Sequence, residues 1–319
     1  MSGLKVILLY FILTGLAFSQ SWPAKPVKVL IPYSAGGAND LLGRVFSTQL
    51  AKTFGQQFIV ENRTGGGGLI AMEAVARSQP DGYTIVISGI PSIVIAPAMS
   101  KNKVNFDPIT DFTHIAYLGG AANIVVAHPD AGINDFRTLI YQMKNQPNPV
   151  QYLSASMGSV GNLLMQYVAE KEKSNISHIV YRGGGVAIQD LVAGHVKIGS
   201  MAITTAKPYV LTGRLLPLAV SSNLRLADFP DTPTMVELGY KDLVLTLWYS
   251  VSGPARMPRE IVNRLNLAIN SSINLPEVKK YLEKEMVQSK SMTVEEVGDF
   301  VKGELNKWMP AARRVASDN

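Results

Sequence analysis

Short β-rich runs, each ending in a cluster of glycine, serine or alanine and each followed by helical spacing, recur along the chain. This repeated unit constrains the fold more than any other feature. Residues 27–31 (VKVLI) lead through Ser34-Ala35-Gly36-Gly37 to a helical stretch at 41–53. Residues 58–60 lead through Thr64-Gly65-Gly66-Gly67-Gly68 to 70–77, and 84–87 lead through Ser88-Gly89-Ile90-Pro91-Ser92 to a helix over 92–99. The pattern restarts with a strand at 123–127 and a helix at 135–144. Residues 151–153 then lead through Ser154-Ala155-Ser156-Met157-Gly158-Ser159 to 161–173, and 178–181 lead through Arg182-Gly183-Gly184-Gly185 to a helix ending near Ala193. Strand–loop–helix alternation of this kind predicts parallel sheets with crossover helices.

Two further strands are expected at 215–220 and 244–252, with helices from 258 onward. The restart at 123 and the long apolar run at 244–252 predict two lobes between which the chain crosses twice. The expected class is α/β: two parallel or mixed sheets flanked by helices, with a ligand cleft between the lobes. One lobe takes residues 20–122 and 245–292, the other 123–244, and a C-terminal helix at 293–319 packs across both. The crossings carry no Pro-, Ser- or Gly-rich linker, as a hinge between packed domains requires.

The first 19 residues read as an export leader. Lys5 precedes a 13-residue apolar run at 6–18, and Ala17-Phe18-Ser19 fits a small-x-small cleavage site. The run is shorter than the roughly 20 residues of a spanning helix. Cleavage is expected near Ser19, with the mature protein in the periplasm. The 319 residues are 47% hydrophobic and 17% charged, a globular balance with room for two cores. The formal charge of +6 is scattered, with no basic stripe for nucleic acid. The chain has no cysteine, which excludes disulfides, thiol nucleophiles and cysteine-bound zinc.

In an open α/β sheet, loops at the carboxyl ends of strands line the ligand crevice. Each loop here also opens a helix, where backbone N–H groups lack partners and the dipole is positive. Small residues allow an anion close approach, so two lobes facing each other with such loops make a carboxylate trap. Each loop also has a plainer use, since glycine permits tight turns and Asp40, Ser154 or Ser159 could serve as helix caps. Catalytic patterns are missing. Gly158-Ser159-Val160-Gly161 lacks the first glycine of a nucleophile elbow. The Gly65–Gly68 run is neither a phosphate loop nor a dinucleotide fingerprint. His114, His128, His178 and His195 have no metal-ligand spacing. No enzyme activity, cofactor or metal is expected.

Several motifs in order then resemble the substrate-binding proteins of tripartite tricarboxylate transporters, the Bug family, over nearly the whole mature chain. Pro32-Tyr33-Ser34-Ala35-Gly36-Gly37-Ala38-Asn39-Asp40 is similar to the family's P-F-x-x-G-G-x-x-D loop, and Glu61-Asn62-Arg63-Thr64-Gly65-Gly66-Gly67-Gly68 to its E-N-R-x-G-x-G-G segment. Pro80-Asp81-Gly82-Tyr83-Thr84, Val180-Tyr181-Arg182-Gly183 and Asp231-Thr232-Pro233-Thr234 add to the match. The resemblance implies a type II-like two-lobed periplasmic binding fold, a small carboxylate ligand, membrane permease subunits as partners and a monomeric receptor.

It carries the ligand carboxylate onto residues 34–39 and 154–159, and with the other strand-end loops the ligand is expected against Tyr33, Ser34, Ala35, Gly36, Gly37, Asn39, Asp40, Gly67 and Ser88 of one lobe. From the other lobe come Ser154, Ser156, Ser159, Asn162, Arg182, Gly183, Met201 and Ala202. The sequence departs from the family at Asn162, where histidine is common, and at Arg182, where lysine is usual. Ser200-Met201 replaces a frequent Phe-Asp pair. That lost acid, with Tyr33, Met157 and Ile203, predicts a less polar far end and a mono- or dicarboxylate with an apolar or aromatic portion. A sensor presenting its closed form to a receptor kinase and a secreted hydrolase are the alternative readings.

Overall fold

The computed structural model describes residues 22–101 and 103–317; the leader and its cleavage site lie outside the described residues. In chain order the elements run β1 (Val27–Ile31), α1 (Ala38–Phe54), β2 (Phe58–Asn62), α2 (Leu69–Ala76), β3 (Thr84–Gly89) and the short α3 (Ala96–Met99). They continue β4 (Phe112–Ala127), α4 (Phe136–Asn145), β5 (Val150–Ser154), α5 (Val160–Glu172), β6 (Ile176–Val180), α6 (Gly184–Val192), β7 (Ile198–Ala202), α7 (Ile203–Leu211) and β8 (Leu216–Val220). The last are β9 (Thr246–Pro254), α8 (Arg259–Ile273), α9 (Pro276–Lys284) and α10 (Val294–Ser317).

One sheet has the order β2-β1-β3-β9-β4, with β1 parallel to β2 and β3 and with β9 antiparallel to both its neighbours. In the other, β5 runs parallel to β6 and β7, and β4 pairs antiparallel with β7 and β8. Each sheet with its helices forms a lobe. The two share β4, which pairs with β9 through Ala122 and with β7 from Asn123 onward. The strand expected at 123–127 therefore begins eleven residues earlier, at Phe112. Its first part is buried on both faces and so shows no alternation. Gly119, at φ 136, marks a register shift against β9, a usual reason for glycine inside a strand.

Two other expectations change. The helix at 92–99 is a wide π-type turn over Pro91–Ile95 followed by α3; Pro97, inside the continuous stretch, lacks the N–H a regular helix would use. Residues 203–211, left unassigned by the pattern, form α7 despite Pro208 inside it.

The crossing strands are clasped by α10. Phe300 packs between Tyr117 of β4 and Trp248 of β9, with ring centroids 5.3 and 5.2 Å away. The Trp248 indole N–H donates to Glu304 at 2.8 Å. At its far end Arg314 donates to Glu170 of α5 at 3.0 Å and lies over Tyr167. One helix thus touches the crossing strands and the second lobe.

The same crossing is anchored from α8. The buried Asn266 amide donates to Ile115 O at 2.8 Å and to Met292 O at 2.9 Å. Replacing it by alanine removes the donor to Ile115 O, at about 1–3 kcal/mol, while Met292 O keeps the Asn270 amide at 2.9 Å. Urea denaturation of Asn266→Ala should show a loss of about 1–3 kcal/mol; an unchanged midpoint would mean that the bracket contributes nothing.

Candidate ligand-binding site

The loop between β1 and α1 is shaped by Asp40. Its carboxylate accepts from the Gly36 N–H at 3.0 Å, from Asn62 Nδ2 at 2.9 Å and from Arg44 Nε at 3.0 Å. Burial alone would push Asp40 up, but these donors hold it below the usual carboxylate range. Asn62 also donates to Tyr33 O at 3.0 Å, which fixes the loop at its start. Asp40 is thereby occupied in holding the loop and does not line the cavity that the loop helps enclose.

That cavity lies between the lobes. Tyr33, Gly37, Ala38, Asn39, Pro91 and Leu247 line it from the first; Asn123 on β4 and Ala155, Ser156, Ser159, Val160, Gly161, Gly184, Ser200, Met201, Ala202 and Thr205 complete it. Four helices therefore begin at this space: α1 after Gly37, α5 after Ser159, α6 after Gly183 and α7 after Ala202. The first turns of α1, α6 and α7 have no side-chain cap, and Ser159 caps α5 by accepting from the Asn162 N–H at 3.1 Å. Uncapped first-turn N–H groups and positive dipole ends thus converge from both lobes. A Cβ on Gly37 would lie 3.4 Å from Gly185 N and 3.5 Å from Gly184 N, so the space beside Gly37 faces amides of the opposite lobe.

Among the described residues, no Asp, Glu, Lys, Arg or His lines the cavity. Ser156 and Thr205 are buried with hydroxyls that have no partner. The enclosed volume is ≈ 40 Å³, room for roughly three waters.

On either side of the cavity, loop packs on loop. A Cβ on Gly67 would meet Met157 O at 2.5 Å, and one on Gly158 would meet Ala96 Cα at 2.6 Å. On the other seam Ser34 N donates to Arg182 O at 3.1 Å, and a Cβ on Gly185 would fall 2.0 Å from Ala35 O. Outside the first seam an open groove of ≈ 1080 Å³ spans both lobes, lined among others by Gly67, Met157, Asn162, His178 and Arg182.

The profile of the tripartite tricarboxylate transporter family receptors matches residues 42–316. The chain belongs to that family. The receptor is 27% identical to the protein BugT of Bordetella pertussis, over 98% of this chain and 97% of that one. It is 30% identical to a protein of Cupriavidus necator encoded in the gbd 5′ region, over 91% of this chain and 88% of that one. Among solved structures it resembles the periplasmic binding protein BugD (26% identity, TM-score 0.87, covering 92% of this chain and 98% of that one). An R. palustris protein with adipate bound is similarly close, at 25% identity and TM-score 0.87, covering 93% of this chain and 98% of that one. The family and these neighbours are periplasmic solute-binding receptors.

Of the residues singled out from sequence, the receptor brings Tyr33, Gly37, Asn39, Ser156, Ser159, Met201 and Ala202 to the cavity. Ser34, Ala35, Gly36 and Gly183 lie instead along the second seam, where a Cβ on Gly183 would meet Ser34 Oγ at 2.3 Å. Gly67, Asn162 and Arg182 face the groove. The expected loop at Ser88 does not exist: β3 runs through Gly89 into the turn, and Ser88 is fully buried within the strand. Sequence reasoning passed over Asn123 and Leu247, hidden in crossing strands, and Thr205, on the helix interrupted by Pro208.

Ser154 is also buried and stands behind the cavity rather than on it. Its Oγ lies 2.8 Å from His178 Nε2 and 2.8 Å from Ser159 Oγ, and it donates to Ser156 O at 3.1 Å. Asn162 accepts the Gly158 N–H at 3.1 Å through Oδ1 and donates through Nδ2 to the Tyr152 hydroxyl at 2.9 Å. The same Nδ2 meets His178 Nδ1 at 3.1 Å, which makes Nδ1 an acceptor and puts the imidazole proton on Nε2.

Burial pushes His178 down to about 4. The unfolded chain takes up this proton near pH 6.5, so neutral His178 contributes stability that is complete above pH 6.5 and lost as pH falls toward 4. The amount is on the order of 3 kcal/mol. Thermal melts from pH 7 to 4 should show a smaller decline in Tm for His178→Gln than for the wild type; parallel curves would contradict this. His114, also lowered by burial, acts equally in both proteins and cancels in the comparison.

Proposed function

We propose that this receptor captures a short carboxylate, bearing one charge and an apolar remainder, in the periplasm and delivers it to the membrane permease of a tripartite transporter. The carrying observation is that four helix N-termini meet at a cavity without a charged side chain. A hydrogen bond to a charged group contributes about 1.5–3 kcal/mol, and each helix terminus about 0.3–1. Four or five such donors, less the cost of ordering and closure, fit a micromolar dissociation constant, about −8.2 kcal/mol.

One carboxylate is matched in this way. A second, buried among Met201, Leu247, Val160 and Pro91, would find no counter-charge and would lose several kcal/mol. Arg182, which from sequence could have received it, lines the groove instead. The cavity volume of ≈ 40 Å³, room for roughly three waters, favours the smallest aliphatic acids over the larger aromatic ones. The adipate bound by the R. palustris relative supports the carboxylate class.

A hydrolase reading centred on Ser154 is disfavoured by the proton on His178 Nε2. That nitrogen donates toward Ser154 and has no lone pair to take the hydroxyl proton, as a general base must. Transport rather than sensing rests on the family alone. The leader at 1–19 and lobe boundaries near 122/123 and 244/245 belong to the same proposal.

Calorimetry with propanoate, butanoate, succinate, benzoate and citrate tests the ligand class. The short monocarboxylates should bind tightest and citrate not at all; citrate binding tightest would reject the single-charge site. A methyl at Gly37 fits the backbone but occupies the space before the Gly184 and Gly185 amides. Gly37→Ala should therefore lower affinity about tenfold or more with little change in Tm. Gly67→Val is expected to act differently. Its side chain collides with Met157 O across the seam, so small-angle scattering should show no compaction when ligand is added, whereas the wild type compacts.

A further inference from the structure

Tyr33 and Ser156 are the two residues that line both the enclosed cavity and the outer groove. They come from opposite lobes and stand between a space of ≈ 40 Å³ and one of ≈ 1080 Å³. Ser156 is small. The tyrosine ring is therefore the bulk of the partition.

The ring is held in place from several directions. Its hydroxyl donates to Gly67 O at 3.1 Å, and a Cβ on Gly68 would lie 3.0 Å from the same oxygen. Its backbone carbonyl accepts from Asn62, and the residue is only 6% exposed. The groove on the other side carries exposed apolar surface at Ile70 and Met157, and its charged lining is Lys101, Lys103 and Arg182 against the single acid Glu73. An aliphatic chain passing the ring would enter apolar surroundings, and a terminal carboxylate would then meet those cations.

We infer that Tyr33 sets the maximum ligand length, closing off a groove that could otherwise hold the far end of a longer mono- or dicarboxylate. The inference rests on the carboxylate-receptor reading and specifies its size limit. Each methylene moved from water into apolar surroundings favours binding about fourfold, so two or three methylenes admitted past residue 33 are measurable.

The test is isothermal titration of wild type, Tyr33→Phe and Tyr33→Ala with straight-chain acids from acetate to octanoate and diacids from succinate to octanedioate. Circular dichroism checks the fold, and Tyr33→Leu substitutes if the alanine variant does not fold. Wild-type affinity should pass through a maximum at a short chain. Tyr33→Phe, which keeps the ring and loses only the hydroxyl's bonds to Gly67 O and Ser92, should keep the same maximum. In Tyr33→Ala the maximum should move to longer acids, with octanoate or octanedioate gaining about tenfold or more. If the wild type binds short acids and Tyr33→Ala keeps the same maximum, the partition is overturned while the receptor reading stands. If no variant binds any carboxylate, the receptor reading fails and the length limit falls with it.

Discussion

The geometry between the lobes follows from backbone N–H groups that helices leave unpaired in their first turn. Four helices end at one small space, and the requirement that an anion reach those groups dictates the rest. Residues before each helix must be small, the loops must be rigid, and no other acceptor can compete for the amides. Asp40 illustrates the last point. It is the first-turn carboxylate of α1, yet its oxygens are engaged by Gly36 N–H, Asn62 and Arg44. The acid stiffens the loop instead of blocking the site that the loop forms.

The glycines divide between two duties. Gly37 and Gly184 border the cavity, where the lack of a side chain leaves amides open. Gly67, Gly158, Gly183 and Gly185 lie on the seams, where backbone of one lobe rests on backbone of the other. A ligand bonded to amides of both lobes ties closure to occupancy. The long helix α10 ties the crossing strands to the second lobe, since Phe300 and Glu304 contact β4 and β9 while Arg314 bonds to α5.

The fold was legible because hydrophobic period and glycine punctuation agree with each other through most of the chain. Where they part, the reading failed. Residues 112–122 are buried on both faces and carry a glycine pair, so they resemble a loop and are strand. Pro208 argues against α7, yet the helix is there, and Thr205 went unrecognised with it. In the site, loops facing a cleft were identifiable, but the direction each residue faces was not. Ser34, Gly36 and Gly183 fall a few residues from Gly37 and Gly184 and end on a seam. Such differences arise from how two lobes dock, which no local pattern encodes. Asn123 and Leu247 were hidden for the same reason, as strand residues brought to the cavity by a crossing.

The neutrality of the cavity sets it apart from the basic surface around it. A chain of net charge +6 has lysines and arginines to spare, and Arg182 and Lys101 stand in the groove just outside. A basic surface raises the rate at which anions arrive, and that benefit does not require a cation inside. An internal arginine would be stripped of water whenever the lobes closed, a penalty of several kcal/mol unless paired without fault. It would also strengthen the grip and lengthen residence, since affinity differences appear mainly in the dissociation rate. Amides at helix ends are fixed in place, lose no side-chain entropy on binding, and give moderate affinity. A receptor that must surrender its ligand to a permease is well served by that compromise.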